Sequence, residues 1–289
     1  MAASSGTILG PPRGWRRALL PGYVVIVIAY TLVPIAVMVL YGFNQAPSGR
    51  LTFAWQGFTL DWYRDLFQIP DLTSALLHSL EIAALSTLIA LAIGIPAALA
   101  LARYRFRAKA LGELVILADV AAPSVVVGAS LLGLFVYLGV PRGFGTILLA
   151  HVAFNVAFVV VVLQSRLGDL DESLGEAARD LGASPWVAFW KITFPLIFPG
   201  ILAAALLAFA LSIDDFIITS FVAGQTLTFP LWVYGAVKVG IPPQVFVMGT
   251  LIFVIGVAFA IAAWVAQRRG NESLRPTAEA DAQDQYATA

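Results

Sequence analysis

Long stretches without charge constrain this chain more than any other feature. Residues 19–43, 145–163 and 245–266 contain no Asp, Glu, Lys or Arg. Residues 74–102 are interrupted only by Glu81, residues 111–140 by Glu113 and Asp119, and residues 196–221 by Asp214 and Asp215. A bilayer core of about 30 Å takes about 20 apolar helical residues to cross. Each run is long enough, so the reading is an all-α polytopic membrane protein with six transmembrane helices. Composition agrees: 12% of residues are charged, where soluble domains carry about 25%, and the mean hydropathy is +0.88.

Six crossings place both termini on one side, and the basic residues choose that side. Thirteen of them flank one face: Arg13, Arg16 and Arg17; Arg103, Arg105, Arg107 and Lys109; Arg166, Arg179 and Lys191; Arg268, Arg269 and Arg275. Only Arg50, Arg64, Arg142 and Lys238 fall on the other. The positive-inside tendency puts both termini in the cytoplasm. The formal net charge is zero, so overall charge gives no case for a nucleic-acid partner. With no cysteine and only His78 and His151, disulfides and thiolate-bound metal are excluded and a histidine metal site is disfavoured.

The first apolar run is too long for a secretory signal and no A-x-A-like site follows it, so it reads as a retained helix. The expected organisation is a cytoplasmic N-terminal arm over 1–18, a membrane domain over 19–267, and a flexible cytoplasmic tail over 268–289. The outward loop 44–72, with Trp55, Trp62 and Tyr63, is expected at the interface. The stretch 223–244 is too apolar for an ordinary loop, and Pro230, Pro242 and Pro243 bound a possible short helix in it.

Between the fourth and fifth runs, cytoplasmic loop 167–194 reads as two short helices. Asp171 is a candidate N-cap for a helix from about Glu172 to Leu181, with acids in its first turn where the helix dipole favours them. Gly182 ends that helix, and Ser184-Pro185 starts another as cap and first helical residue. The second helix carries Trp186, Phe189 and Trp190 before Phe194-Pro195. An amphipathic loop on the bilayer surface would account for the tryptophans, but not for the tight turn beside an alanine-rich acidic helix.

Glu176-Ala177-Ala178, then Gly182, Ile192 and Pro195 at their spacing, resembles the EAA loop of ABC importer permeases. In that family the pattern closes with Leu-Pro, whereas here it closes with Phe194-Pro195. His78-Ser79-Leu80, Arg103 to Arg107, Asp180 to Ser184, Asp214-Asp215 through Val222, Tyr41 to Asn44 and Val237 to Gly240 resemble the spermidine/putrescine permeases, over roughly residues 20–265. The resemblance implies a permease domain in a bacterial inner membrane, whose loop docks on a separate ATPase. It further implies ATP-binding subunits, a second permease subunit forming a heterodimer, an extracytoplasmic solute-binding protein and a small cationic solute. No G-x-x-x-x-G-K-[ST] loop occurs, so the chain is not itself expected to be an enzyme or to hold a cofactor. ATP and magnesium are expected on the partner.

Ionisable groups inside a span cost about 2.5–3.5 kcal/mol each at the helix centre, so they face a cavity or a partner. Glu113 reads as an interfacial group pairing with Lys109 one turn back. Asp119, about 12 Å into its helix, lines the lumen or bonds a neighbouring Ser or Thr. Asp214 and Asp215 lie about 27 Å along a continuous fifth helix, and Glu81 lies about 10 Å below the outer face, one turn below His78. Adjacent helical residues diverge by about 100°, so one aspartate faces the lumen while the other holds a helix contact. Glu81 and one aspartate then form a negative path for a polyvalent amine, unless they serve as a polar clamp between helices. Opines, iron complexes and amino-acid-like compounds stand as alternative cargo. A secondary transporter or channel predicts inverted repeats, which are not evident, and a membrane scaffold leaves the acids and the loop unexplained.

Overall fold

The computed structural model describes residues 14–52, 54–168 and 173–272. Helices carry the described residues, and the only bridge between extended segments among them joins Asn44 to Phe58. In chain order they are α1 (Gly14–Tyr41), α2 (Asp61–Arg64), α3 (Pro70–Arg103), α4 (Lys109–Ala121), α5 (Ser124–Tyr137) and α6 (Phe144–Gly168). Then follow α7 (Ser173–Asp180), α8 (Pro185–Ala188), a π-helical turn (Phe189–Thr193), α9 (Phe194–Ile213), α10 (Ile217–Val222), α11 (Phe229–Val239) and α12 (Gln244–Glu272).

Five segments are long and apolar enough to cross a membrane: Leu19–Tyr41, Pro70–Arg103, Phe144–Gly168, Pro185–Ile213 and Gln244–Ala262. The third apolar run departs from the continuous helix expected of it. It is two helices, α4 and α5, bent by 109° at Ala122-Pro123, and counts as a sixth span only if the pair is taken together. The reason is local. Proline has no amide hydrogen to give and disfavours helical torsions in the residue before it, and both residues are extended, with ψ of 132° and 130°.

The fifth run is also corrected. Its helical segment begins at Pro185, and α9 stops at Ile213 rather than continuing to residue 221. Asp214 to Phe216 form a break before α10, so the two aspartates do not diverge as neighbours on one helix. The π turn lies just ahead of Pro195, the residue unable to donate back into an ordinary turn. The helix expected within 223–244 is present as α11, with Pro230 in its first turn.

The described residues fall into two compact units. One gathers those up to Leu66 with Ile241–Phe253. Its organiser is buried Asn44, whose side-chain amide donates to the carbonyls of Ala54 (3.0 Å) and Thr52 (3.4 Å) and accepts from the Gln56 amide at 2.8 Å. The Trp62 indole donates to the Asn44 carbonyl, also at 2.8 Å. Phe43 stacks on Phe58 and Tyr63, with centroids 5.5 and 4.9 Å apart. The loop between α1 and α3 is thus ordered by side-chain bonds and ring stacking.

The second unit comprises Phe67–Gly240 with the described residues from Val254 onward. Its α3 turns a stripe of small residues inward: Ala75, Ser79, Ala83, Ser86, Ala90, Gly94 and Ala98. Small side chains let membrane helices approach closely, and dispersion and hydrogen bonds supply the attraction that water would supply elsewhere. Ala90, Ala98, Val159, Val160, Leu163, Ile197, Ile201, Ala204 and Ala208 form one core among α3, α6 and α9. A second core joins Ile82, Phe135, Ile147, Ala150, Phe154, Ile218 and Val222.

A Cβ added at Gly94 would lie 2.5 Å from Cγ1 of Val159. Gly94→Ala is therefore expected to destabilise the α3–α6 contact by about 1–3 kcal/mol. The measurement is thermal inactivation of the detergent-purified protein, and adding Val159→Ala should recover part of the loss.

Candidate functional site

Two regions carry the residues singled out in the sequence, and both lie within the second unit. In the loop region, Gly182 adopts φ +85°. Its amide bonds the Arg179 carbonyl at 2.9 Å and the Ala183 amide bonds the Ala178 carbonyl at 3.0 Å. This paired closure satisfies two of the carbonyls left open at the end of α7, and it needs a left-handed residue at that position. The Ser184 hydroxyl accepts from the Val187 amide at 3.3 Å, capping α8, with Pro185 at its first position.

The turn leaves Leu181 90% exposed and Trp186 71% exposed. Trp186, Trp190 and Phe194 form a ladder with successive centroids 5.6 and 4.8 Å apart. Arg103, at the end of α3, donates to Thr193 at 3.3 Å and ties the π turn to the helix bundle. Ala177 and Pro195 are exposed, and Ala178 and Ile192 are half-buried. The Glu176 side chain and the candidate cap Asp171 lie outside the described residues.

The second region is a cavity of about 510 Å³. Three carboxylates, Asp119, Asp214 and Asp215, share its wall with the rings of Phe154, Phe158 and Phe216. Among the described residues no basic side chain lines it. The α4–α5 bend supplies Asp119 near the end of α4 and Ser124 at the start of α5, while the α9–α10 break supplies both other aspartates. Glu81 is exposed on α3 and does not line this cavity. His78 bonds the Leu227 carbonyl at 3.0 Å and meets Phe144 edge-on. Glu113 pairs with Lys109 at 3.9 Å, as its spacing suggested.

The two adjacent aspartates are held differently. Asp214 is exposed. Asp215 has a side chain only 12% exposed, and its carboxylate accepts from the Thr219 amide and hydroxyl, both at 2.8 Å, and from the Ile218 amide at 3.4 Å. It therefore closes the open amides at the start of α10.

Behind it lies a polar chain that the sequence reading missed. Buried His151 on α6 contacts Ser212 through Nδ1 at 2.6 Å and Thr219 through Nε2 at 2.9 Å, with the Asp215 carboxylate 3.5 Å away. Ser212 contacts Ser86 at 3.1 Å, and Asn155 donates to Ser86 at 3.3 Å. A histidine amid an otherwise uncharged span is itself a signal for such a site.

The profile of the family described as "Binding-protein-dependent transport system inner membrane component" matches residues 90–271. The chain is 39% identical over 259 residues to the spermidine/putrescine transport system permease protein PotC of Escherichia coli K12, covering 88% of this chain and 97% of that one. It is 40% identical over 263 residues to the putrescine transport system permease protein PotI of the same organism, covering 87% and 92%. Its fold is similar to a chain of a bacterial ABC transporter that imports alginate, at TM-score 0.63 and 16% identity, covering 90% of this chain and 98% of that one. It is also similar to a chain of an amino acid ABC transporter, at TM-score 0.56 and 19% identity, covering 73% and 100%.

Proposed function

Since this chain belongs to the family of binding-protein-dependent transport system inner membrane components, we propose that it is the permease subunit of an ATP-driven importer for a polyamine or a similar small cation. The observation that carries the cargo is the cavity, with three carboxylates, three phenylalanine rings and no basic side chain among the described residues. Clustered carboxylates concentrate cations in a cleft, and aromatic faces attract ammonium groups, most strongly where water is scarce. An opine, an iron complex with acidic ligands or an amino-acid-like solute would bring carboxylates into a wall of the same sign. The polyamine names of the relatives agree with this preference.

In this reading residues 19–267 form the permease domain as six spans, α4 and α5 together counting as one. Both termini lie in the cytoplasm, on the face where thirteen basic residues fall. Glu176, Ala177, Ala178, Gly182, Ile192 and Pro195 form the knob that seats on the ATP-binding subunit. Nucleotide and magnesium are held there, and the push reaches α9 through the π turn. A second permease subunit completes the pathway, and an extracytoplasmic solute-binding protein delivers the cargo. Asp119, Asp214 and Asp215 line the path, and Glu81 stands on α3 as an outer acid of the route.

Reconstitution with its ATPase, second permease and binding protein in proteoliposomes tests the reading. ATP-dependent accumulation of labelled spermidine or putrescine is expected. Accumulation of an opine or amino acid in their place would transfer the chain to another cargo, and uptake without ATP would remove the importer reading.

A further inference from the structure

The break at 214–216 lies outside both helices, so the side chains that grip its flanks help to set its shape. His151, only 1% exposed, grips it from both ends: Ser212 belongs to the last turn of α9 and Thr219 to α10. The donors can be assigned in order. The Thr219 hydroxyl has one hydrogen and gives it to the Asp215 carboxylate, so its oxygen accepts from His151 and Nε2 carries the hydrogen. With the ring hydrogen on Nε2, Nδ1 accepts from Ser212; Ser86 lies 3.1 Å from Ser212, also donates to the Ala83 carbonyl at 3.3 Å, and accepts from Asn155. From Ser212 through the ring and Thr219 the donors point toward Asp215, and bonds aligned in this way strengthen one another in a medium of low dielectric.

We propose that His151 is a positioning residue for solute recognition: by bridging Ser212 and Thr219 it sets the backbone at 214–216, keeps Asp215 on the start of α10 and leaves Asp214 presented to the cavity. The assignment rests on the cation-import reading above. Neither neighbour of the ring suffices alone, because Ser212 and Thr219 stand on opposite sides of the break. Without the ring, the Asp214 carboxylate is free to turn from the cavity while the helices on either side persist. The ring itself does not line the cavity, so its influence on the solute passes through the aspartates.

The test is the kinetics of labelled spermidine uptake by cells carrying the complete transporter, with the chain quantified in the membrane. His151→Phe keeps the ring's bulk and removes both nitrogens. It is expected to raise KM about tenfold and leave the maximal rate within about twofold, the signature of lost binding rather than lost turnover. His151→Gln, whose amide nitrogen reaches toward Thr219, should recover most of that KM, and His151→Asn should not. On an Asp214→Asn background His151→Phe should add less than about twofold, since coupled residues are not additive.

A wild-type KM in His151→Phe at normal membrane levels overturns the proposal, as does a pure loss of maximal rate or full additivity with Asp214→Asn. Should His151→Phe fail to accumulate, equal KM values for His151→Gln and His151→Asn overturn it instead. Wild-type uptake by Asp214→Asn removes Asp214 from recognition and overturns the positioning role with it, whereas absence of spermidine uptake by the unsubstituted transporter removes the cation reading. Loss of uptake in Asp214→Asn alongside a silent His151→Phe removes only the positioning role.

Discussion

Asp214→Asn is expected to lower spermidine uptake roughly ten- to a hundredfold at low substrate concentration, chiefly through KM, with the chain still present in the membrane. The estimate follows from charge in a partly dry cavity: at an effective dielectric near 20, a carboxylate and an ammonium 4 Å apart attract by about 4 kcal/mol, and each tenfold in binding takes about 1.4 kcal/mol. Opening to water removes part of that attraction. The substitution keeps size and shape, and Asp214 is exposed, so folding should be little affected. Asp215→Asn is a different experiment, since that carboxylate holds the Thr219 amide and hydroxyl. Its expected first effect is a lower thermal stability of the purified protein. If Asp214→Asn and Asp215→Asn both take up spermidine normally at unchanged expression, the cavity is not a cation path.

The second large effect is expected at Gly182. At φ +85° an L residue is strained by about 1–2 kcal/mol, and a β-branched one by more. No atom lies within 4 Å of a Cβ placed there, so backbone strain alone is tested and not a clash. Gly182→Val should unwind the paired closure after α7 and shift the Trp186–Trp190 ladder relative to that helix. The expected result is near-complete loss of ATP-driven uptake, with ATP hydrolysis by the assembled complex no longer stimulated by the loaded binding protein. Gly182→Asn, which tolerates left-handed torsions, should retain most activity. Equal behaviour of the two variants, or full coupling in Gly182→Val with intact assembly, would show that the turn does not transmit the push.

Much of this protein was legible in its residues because membrane burial is read one segment at a time. An apolar run either is or is not long enough, whatever its neighbours do, and all six runs appear in the fold as helical segments. The loop was legible for a similar reason. Gly182, Ser184 and Pro185 act on torsions and hydrogen bonds within a few residues of themselves, and the observed turn uses each of them accordingly. The bend at Ala122-Pro123 had the same kind of local signal, since a proline near the middle of a long run restricts its predecessor. Hydropathy counts Pro123 as one residue in thirty and passes over it.

The break at Asp214 is another matter, and so is the cavity. Residues 196–221 carry no proline or glycine between Ile201 and Phe221, so no breaker in the sequence predicts that α9 stops at Ile213. Part of what stops it is local capping and part is tertiary. The Asp215 carboxylate takes the open amides of α10, and His151, on a different helix, holds both flanks of the interruption. Asp119 meets the aspartate pair only because α4 and α5 turn through 109°. The sequence by itself determined that the chain is a set of membrane helices with a helix–turn–helix loop before the fifth span, because burial in lipid and local turn chemistry act over a few residues. Which acids share a cavity was decided by tertiary structure, because Asp119 and Asp214-Asp215 lie far apart in the chain and no local pattern encodes their lining one wall.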